Sequence, residues 1–341
     1  MAEMAPRGSF AWHDLMASDP DAATAFYKKV IGWNVVRWEH DATYRMWTMK
    51  DVPMGGITEL PEDARKMGAP PHWLAYIGVP DVDEAVKQAL GMGGKTFVEG
   101  LDIPNVGRIA VLTDPQGAMF AVYRPLMPGG GGDGFSVGDF SWHELATSNW
   151  KAGWEFYKAL FGWQFATSFD MGAAGTYWMF RRAGGTRTLG GMYTKPPEMA
   201  APPHWLCYVN VPNADKAAAL TVKHGGRVVR EPMDVPGGDR VAVLVDPQGA
   251  AFAVHAVAVK AAPAPAKPAK PAKAAKPVKH KPAARKAAKR KPAKKAAKKK
   301  PARKKAPQRA AKRKSAKGAK QRRAPRRKAA RRPARRRAKR R

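Results

Sequence analysis

The chain has 341 residues and a net charge of +35, but its 62 basic and 27 acidic residues are spread unevenly. Residues 260–341 contain 39 Lys and Arg and no acidic residue, which leaves 23 basic and all 27 acidic residues, a net charge of −4, in residues 1–259. All 11 Trp, 8 Tyr and 12 Phe precede residue 260, so the basic segment lacks the apolar surface needed to fold alone. The composition excludes one uniformly basic domain. It predicts a globular part followed by a disordered tail, each with its own partner.

The cysteine content and the hydropathy indicate an intracellular, soluble protein. Cys207 is the single cysteine, which excludes an internal disulfide framework and fits a reducing compartment. The N-terminal residues lack the basic and apolar regions of a signal peptide, and no apolar stretch approaches the roughly 20 residues of a membrane helix. We therefore expect a cytoplasmic location and no membrane partner.

Three sequence blocks occur twice in the same order. Residues 10–33 read FAWHDLMASDPDAATAFYKKVIGW and residues 140–163 read FSWHELATSNWKAGWEFYKALFGW, at an offset of 130. PPHWLAYIGVP and DPQGAMFAV, which start at Pro70 and Asp114, return at an offset of 132 as PPHWLCYVNVP and DPQGAAFAV. The repeat predicts two homologous domains over residues 8–127 and 135–259, joined by a Gly-rich linker over residues 128–134.

Each copy begins with a strand and a helix. FAWHDLMA is short and apolar, as a buried strand is, and Asp19 and Pro20 then supply an N-cap and a proline at the first helical position. The apolar side chains that follow lie at helical spacing, and Gly32 is placed to end the helix; they are Ala23, Phe26, Tyr27 and Val30. TYRMWTMK and MGGITEL are predicted strands.

The same pattern then restarts within the copy. HWLAYIGV is a predicted strand, DVDEAVKQAL is a predicted helix closed by Gly91, and KTFVEG, RIAVLTD and MFAVYRP are predicted strands. DPQG is the composition of a β-turn between two of them. Each copy is therefore two βαβββ modules. The chain is an α+β protein of four modules in two domains, followed by the disordered tail over residues 260–341.

The order of these motifs resembles the vicinal oxygen chelate superfamily, which includes glyoxalase I, extradiol dioxygenases and bleomycin-resistance proteins. WHDLMASDPDAATAFYKKVIGW, PHWLAYIGVPDVDEAV and LTDPQGAMFAVY carry the resemblance, which extends over about residues 8–258. It implies that the sheets of two modules curl into a bowl around a ligand. Four modules imply two bowls.

The resemblance also implies where a metal would bind, because family enzymes hold a divalent metal through His, Gln or Glu on the first and last strand of each module. In the first copy the aligned positions are Trp12, Gly56 with Ile57, Leu74 and Ala121; in the second they are Trp142, Gly191 with Met192, Leu206 and Ala253. None of these side chains is a good ligand, so we expect no cofactor. Neighbouring residues of a regular strand face opposite sides, so His13 and His143 are expected to face away from the bowls. A divalent metal remains an alternative if a bulge in the strand turns these two side chains into the bowls.

A small-molecule site in each bowl is the favoured interpretation. The residues expected to line the sites are Trp12, Asp14, His72, Tyr76 and Tyr123 in the first copy and Trp142, Glu144, His204, Tyr208 and His255 in the second. Such walls suit a flat or partly cationic molecule, held by stacking and one charge. Rim salt bridges are the alternative for the two carboxylates, and edge positions fixed by Pro-Pro are the alternative for His72 and His204.

The tail resembles the C-terminal domain of linker histone H1 and bacterial H1-like proteins. Its uncompensated charge predicts binding to a polyanion without sequence preference, and the lack of aromatic side chains favours duplex DNA over single strands, with RNA as an alternative. The residues expected to bind nucleic acid are Lys294, Lys295, Lys298, Lys299, Lys300, Arg335, Arg336 and Arg337. This predicts association with the nucleoid, or with the nucleus in a eukaryote.

Three hypotheses follow. The first is a tandem small-molecule-binding protein, metal-free and held on DNA by its tail. The second is a metal-dependent lyase or dioxygenase of the same superfamily with displaced ligands. The third is a nucleoid-compacting protein whose folded part is structural. The sequence leaves open whether two chains pair as a homodimer.

Overall fold

A computed structural model describes residues 6–126 and 136–258, all of which belong to one compact unit. The predicted linker over residues 128–134 and the predicted tail over residues 260–341 lie outside the described residues, and so do the eight residues expected to bind nucleic acid. None of the described helices combines the length and apolarity that crossing a lipid bilayer requires.

The first copy consists of two modules with the same order of elements. The first module contains β1 (Phe10–Ala17), α1 (Pro20–Val30), β2 (Asn34–Trp38), β3 (Asp41–Met49) and β4 (Val52–Glu59). After a short helix, α2 (Glu62–Lys66), the second module contains β5 (His72–Gly78), α3 (Val82–Gly91), β6 (Lys95–Ile103), β7 (Gly107–Thr113) and β8 (Met119–Pro125).

The second copy repeats this order. Its first module contains β9 (Phe140–Thr147), α4 (Trp150–Phe161), β10 (Gln164–Asp170), β11 (Thr176–Arg181) and β12 (Thr188–Thr194), with a 3-10 turn at Gly172–Ala174. Its second module contains β13 (His204–Asn210), α5 (Ala214–Lys223), β14 (Arg227–Asp234), β15 (Arg240–Val245) and β16 (Ala251–Ala256). The predicted four βαβββ modules are confirmed.

Each copy forms one eight-stranded mixed sheet. The strand order of sheet 1 is β2-β3-β4-β1-β5-β8-β7-β6, and sheet 2 has the order β10-β11-β12-β9-β13-β16-β15-β14. The two modules of a copy join where β1 pairs antiparallel with β5, and β9 with β13. The first strand of each module also pairs in parallel with the last strand of the same module, as β1 does with β4.

Local sequence explains the first helix as predicted. The Asp19 carboxylate accepts hydrogen bonds from the backbone N–H groups of Asp21 and Ala22, and Pro20 occupies the first helical position. The four apolar residues predicted from their spacing are the buried ones of α1, and Gly32 follows with a φ of +94°. In α3 the helix extends one residue further than predicted, because Gly91 is its last residue and the left-handed residue that follows is Gly93, with a φ of +90°.

The alternation of side chains along each central strand separates two faces of the sheet. In β1, Leu15 and Ala17 join a core formed with helices, whereas Trp12 and Met16 pack with Leu74 and Tyr76 in a cluster that contains no helix residue. We call the helix-free face of sheet 1 bowl 1. The corresponding face of sheet 2, which carries Trp142, Glu144, Leu206 and Tyr208, is bowl 2.

The helix-bearing faces of the two sheets share their apolar cores. One core combines residues of both copies: Leu15, Phe26, Tyr27, Trp33 and Trp47 with Val209, Leu244, Phe252 and Val254. A second core is built in the reciprocal way, from Leu112, Phe120 and Val122 together with Tyr157, Phe161 and Trp163. Because fully buried side chains of one copy pack against the other, the copies form one structural unit.

Polar contacts across this interface come in matching pairs. The Trp33 indole N–H donates to the Gly138 carbonyl at 2.9 Å, and the Trp163 indole N–H donates to the Gly8 carbonyl at 2.7 Å. The side-chain amide of Gln248 bonds to both backbone groups of Asp19 at 2.8 Å. The copies are therefore related by an approximate two-fold symmetry.

The repeated DPQG segment contributes to the same interface. It forms a turn, as predicted, in which the Asp114 carboxylate accepts hydrogen bonds from the backbone N–H groups of Gln116 and Ala118. The other oxygen of Asp114 accepts a bond from the Tyr157 hydroxyl at 3.1 Å, and Asp246 accepts the matching bond from Tyr27 at 3.2 Å. All three repeated sequence blocks thus meet between the copies.

Candidate functional site

Bowl 1 contains a buried carboxylate enclosed by hydroxyl and indole groups. Asp14, only 6% exposed, accepts hydrogen bonds from the Tyr44 hydroxyl at 2.6 Å and from the Trp12 indole N–H at 2.9 Å. The Tyr76 hydroxyl and the Gly56 backbone N–H bond to the same carboxylate. The Trp12 N–H also lies 2.8 Å from the Tyr44 oxygen, so the four side chains form one network.

Bowl 2 repeats this network with a longer acidic side chain. Glu144, 8% exposed, accepts a hydrogen bond from the Tyr177 hydroxyl at 2.8 Å, and the Tyr208 hydroxyl bonds to it as well. The Trp142 indole N–H donates to the Tyr177 oxygen at 2.9 Å. A carboxylate, two tyrosines and a tryptophan therefore occupy equivalent places in both copies.

Burial controls the protonation of these groups. Loss of hydration raises the pKa of Asp14, and the hydrogen bonds from Tyr44, Tyr76 and Trp12 oppose that rise without cancelling it. The pKa of Glu144 is raised for the same reason, opposed by the Tyr177 hydrogen bond and by the positive charge of Arg230. The pKa values of the tyrosines are raised by burial and then by the nearby carboxylate, so their hydroxyls remain donors.

The sequence prediction missed one tyrosine in each network. Tyr44 lies on β3 and Tyr177 on β11, at an offset of 133 residues, close to the offsets of the repeated blocks. The repeat was a usable signal for pairing them. The sequence did not show that these tyrosines contact the carboxylate, because β4 lies between β3 and β1 in the sheet.

Asp14 and Glu144 do not form the rim salt bridges considered as an alternative. No salt bridge to either carboxylate occurs among residues 6–126 and 136–258, and both groups lie beneath aromatic side chains. Trp12, Trp142, Tyr76 and Tyr208 also lie in the bowls, as placed from strand alternation. These placements locate the predicted ligand-binding residues, and their binding role stays a prediction.

The remaining predicted residues lie toward the edges of the bowls. His72 and His204 each contact the carbonyl oxygen two residues earlier, at 2.8 Å, which matches the Pro-Pro alternative. Tyr123 packs against Tyr76 with ring centroids 6.4 Å apart. His255 is buried, with Nδ1 at 3.0 Å from the Ser141 hydroxyl and Nε2 at 2.9 Å from Asp239.

A cavity of about 550 Å³ adjoins bowl 2 beside Trp142. Its wall is formed largely by the β11–β12 connection, and the lining residues are Trp142, Arg182, Gly185, Thr186, Arg187, Thr188 and Leu189. The equivalent β3–β4 connection of the first copy is only Lys50 and Asp51. The longer connection gives the second copy a basic, partly aromatic recess at this place.

The two histidines considered as displaced metal ligands do not face the bowls. His13 and His143 lie on the helix-bearing faces, are 4% and 5% exposed, and meet across the two copies with their Nε2 atoms 2.7 Å apart. The bulged-strand alternative is therefore wrong. The pleat places these side chains opposite Trp12, Asp14, Trp142 and Glu144.

A family-type metal does not fit the bowls of this chain. The positions that align with the metal ligands of the family come together at the carboxylate network. In the first copy none of them offers a side-chain ligand; they are Trp12, Gly56, Leu74 and Ala121. A Cβ atom on Gly56 would collide with the Tyr44 hydroxyl and with Asp14, and one on Gly191 would collide with Tyr177. Within the described ranges, the only group of three His, Cys, Asp or Glu ligands lies elsewhere, between the copies.

Comparison with known proteins identifies the family. Residues 140–254 match the model of the Glyoxalase/Bleomycin resistance protein/Dioxygenase superfamily, and residues 12–123 match that of a Glyoxalase-like domain. CFP32 of Mycobacterium bovis, a proposed glyoxylase, is 35% identical over 252 residues, which cover 73% of this chain and 94% of CFP32. The chain belongs to the glyoxalase/bleomycin resistance protein/dioxygenase superfamily.

Further similar proteins carry different descriptions. DnrV of Streptomyces peucetius, an anthracycline biosynthesis protein, is 30% identical over 279 residues, covering 74% of this chain and 94% of DnrV. The Mn(II)-bound glyoxalase of Novosphingobium aromaticivorans aligns with a TM-score of 0.53 at 16% identity, covering 74% of this chain and 83% of the other. The 2,3-dioxygenase LapB of Pseudomonas sp. KL28 aligns with a TM-score of 0.50 at 12% identity, covering 76% and 94%. At such identities the structural likeness shows the fold alone.

Proposed function

We propose that the folded part of this superfamily member binds a flat aromatic molecule carrying a positive charge, and that bowl 1 is its principal site. The observation that carries the proposal is Asp14: a carboxylate beneath three aromatic side chains that makes no salt bridge among the described residues. A cation that stacks on Trp12 and approaches the carboxylate would complete this arrangement.

The two bowls differ in charge, and this difference favours bowl 1 for the cation. In bowl 2 the positive charge of Arg230 acts on Glu144, Tyr193 and Tyr208, and His204 also acts on Glu144. In the first copy, the residue equivalent to Arg230 lies 132 positions earlier and is Val98, which carries no charge. Glu144 therefore already has part of the compensation that Asp14 lacks.

The relatives support an aromatic ligand without defining it. DauV and DnrV are anthracycline biosynthesis proteins, and anthracyclines are flat aromatic compounds. The glyoxylase description of CFP32 instead supports the alternative of an enzyme. Because the bowl positions that would hold the family metal carry no ligand side chain, binding is the function that the geometry supports best.

A pair of isosteric probes tests the proposal on the full-length chain. We expect 1-methylquinolinium to bind, and Asp14→Asn to weaken its binding by about tenfold, a loss of roughly 1.4 kcal/mol in the charged contact. Neutral 1-methylnaphthalene has nearly the same shape, and its weaker binding should be unchanged by this variant. Tryptophan fluorescence quenching or calorimetry measures both.

Two further variants serve as matched controls. Glu144→Gln should change the quinolinium affinity less than Asp14→Asn does, and Glu62→Gln, which alters an exposed helix carboxylate paired with Lys66, should change nothing. Bowl 1 is not a cation site if Asp14→Asn binds quinolinium as tightly as the natural chain does. The same conclusion follows if the natural chain binds neither probe.

We propose in addition that residues 260–341 hold the folded part on duplex DNA. The support is the charge of the sequence: 39 basic residues without an acidic one, including the runs Lys294–Lys295, Lys298–Lys300 and Arg335–Arg337. Binding should weaken steeply with salt, because neutralised phosphates release their counterions.

Deletion of residues 260–341 should remove both the duplex affinity and its salt dependence, measured by fluorescence anisotropy over a series of salt concentrations. A full-length chain with the same tail composition in scrambled order should bind as the natural chain does, since charge and not order carries the interaction. Undiminished duplex binding by the deleted chain would contradict the proposal. Parallel titrations with duplex RNA and single strands decide between the nucleic acids.

A further inference from the structure

Three buried side chains with metal-ligating atoms meet where the two copies face each other. They are His13 of β1, His143 of β9 and Cys207 of β13, and one ligand atom from each lies within 4.8 Å of the others. All three residues are at most 5% exposed. The group lies on the helix-bearing faces of the sheets, opposite the bowls, so it is separate from the proposed ligand sites.

The surroundings fix the orientation of both rings. The His13 ring stacks on Phe140 with centroids 3.7 Å apart, and the His143 ring stacks on Phe10 with centroids 3.5 Å apart. The Nδ1 atom of His143 lies 3.3 Å from the Leu189 carbonyl oxygen. A proton on Nδ1 donated to this carbonyl leaves the lone pair of Nε2 directed at His13, which is how metal-binding histidines are held in proteins.

The rings are also in the protonation state that a metal needs. Both rings are buried, and burial away from water favours the neutral imidazole that a metal binds. Neutral imidazole nitrogens bind Cu and Zn, and a thiolate favours Cu(I) and Zn.

We propose that His13, His143 and Cys207 bind one Cu(I) ion, which joins the two copies of the repeat. The number of ligands and the net charge both favour this ion over Zn(II). Structural Zn(II) takes four ligands, whereas the group offers three. Cu(I) and one thiolate form a neutral unit, while Zn(II) and one thiolate leave a positive charge in an apolar interior, where an unpaired charge is costly.

Binding requires small movements and one proton release. Two metal–nitrogen bonds of about 2.0 Å in a trigonal arrangement place the nitrogens roughly 3.5 Å apart, so the rings must separate by less than about 1 Å. The hydrogen bond between the two Nε2 atoms breaks, and His13 carries its proton on Nδ1. Burial raises the pKa of Cys207 to about 12, so its thiol proton leaves to solvent as the Cu–S bond forms. No electron is transferred.

The repeat supplies a control for this site. Cys207 pairs with His143 across β13 and β9, and the equivalent residue that pairs with His13 across β5 and β1 is Ala75. Alanine is therefore already accommodated at this place in one copy of the fold. Cys207→Ala should preserve the fold, and Ala75→Cys should add a fourth ligand on the opposite side of the same pair of histidines.

The experiment is an anaerobic titration of the full-length chain with Cu(I), in competition with a chromophoric Cu(I) chelator. We expect one equivalent to bind, with one sulfur and two nitrogen neighbours in X-ray absorption and a higher Tm than the metal-free chain. Cys207→Ala should weaken Cu(I) binding by about a hundredfold or more. His40→Gln, which removes an exposed histidine, should leave the affinity unchanged.

Ala75→Cys tests the charge argument separately. Two thiolates neutralise Zn(II) and complete a four-ligand set, so this variant should gain affinity for Zn(II) by about a hundredfold or more. The proposal is overturned if the natural chain binds no stoichiometric Cu(I), if Cys207→Ala retains the natural affinity, or if the natural chain prefers Zn(II). The melting curve of Cys207→Ala, which should match that of the metal-free natural chain, separates a lost ligand from a lost fold.

Discussion

Tyr27 and Tyr157 each connect two repeated motifs. The Tyr157 hydroxyl donates to Asp114 of the other copy and accepts a bond from the Trp205 indole N–H at 3.0 Å. Tyr27 makes the matching bonds with Asp246 and Trp73. Each hydroxyl is both donor and acceptor in a buried place, so its removal leaves two groups without their bond.

We expect Tyr157→Phe and Tyr27→Phe to lower the free energy of unfolding by similar amounts, about 1–3 kcal/mol each, because a buried polar group left without its bond costs about that much. Tyr123→Phe is the control, since its hydroxyl makes only a long bond of 3.3 Å to the Val106 carbonyl and its loss should be smaller. Denaturant titration of the full chain measures the three. Equal losses at Tyr123 and Tyr157 would contradict the role of the shared hydroxyl.

The aspartates that accept these bonds give a pH dependence with a defined sign. Loss of hydration raises the pKa values of Asp114 and Asp246, and their hydrogen bonds only partly oppose the rise. A raised pKa in the folded state means that stability is fully present below the ordinary value and is lost as the pH rises through the raised one.

We therefore expect the stability of the natural chain to fall relative to that of Asp246→Asn as the pH rises above about 4, because the asparagine does not titrate. The difference between the two free energies of unfolding, measured at a series of pH values in constant salt, reports this carboxyl alone. A difference that changes in the opposite direction would mean that the hydrogen bonds outweigh the loss of hydration.

At the scale of the elements, the backbones of β1 and β4 approach each other so closely that β4 carries glycine at the contact. A Cβ atom on Gly55 would lie 2.5 Å from the His13 carbonyl oxygen, and one on Gly190 would collide with the equivalent oxygen of His143. This parallel contact lies between the bowl networks and the paired histidines. It adjoins both, because Gly56 pairs with Asp14 and Gly55 faces the His13 carbonyl.

Gly55→Ala should lower the free energy of unfolding by about 1–3 kcal/mol, since backbone atoms must shift to admit the methyl group. Gly91→Ala, in the last turn of α3 and with no atom near its added Cβ, should instead be neutral or raise it by up to about 1 kcal/mol. Thermal and denaturant unfolding compare the two. A loss at Gly91 equal to that at Gly55 would point to a general effect of chain stiffness.

At the scale of the molecule, the duplication produces one compact structural unit. Both apolar cores take fully buried residues from both copies, and the hydrogen bonds of the repeated blocks cross between them. Separation of the copies would expose Tyr27, Trp33, Tyr157 and Trp163, which are at most 1% exposed. Such large aromatic surfaces strongly favour association.

A protease site placed in the predicted linker over residues 128–134 tests whether the two copies hold together. After cleavage, we expect the two halves to remain together in size-exclusion chromatography and the uncut chain to unfold in a single transition by circular dichroism and fluorescence. Elution as two separate fragments, or two well-separated melting transitions in the uncut chain, would show that the copies are independent domains.

The sequence by itself determined the repeat, the order of the modules and the face on which the central residues of β1 lie. A strand has a period of two, so the alternation along β1 was enough to place Trp12 and Asp14 together and His13 on the opposite face. The same reasoning identified the N-cap at Asp19 and the buried face of α1, because those signals are local.

Only the tertiary structure decided which side chains meet. The contact of Tyr44 with Asp14 depends on the order of strands in the sheet, and the contact of His13 with His143 depends on the docking of two sheets whose residues are 130 positions apart. Periodicity gives the direction of a side chain relative to its own strand. It carries no information about the partner, because that partner is set by the packing of many distant side chains at once.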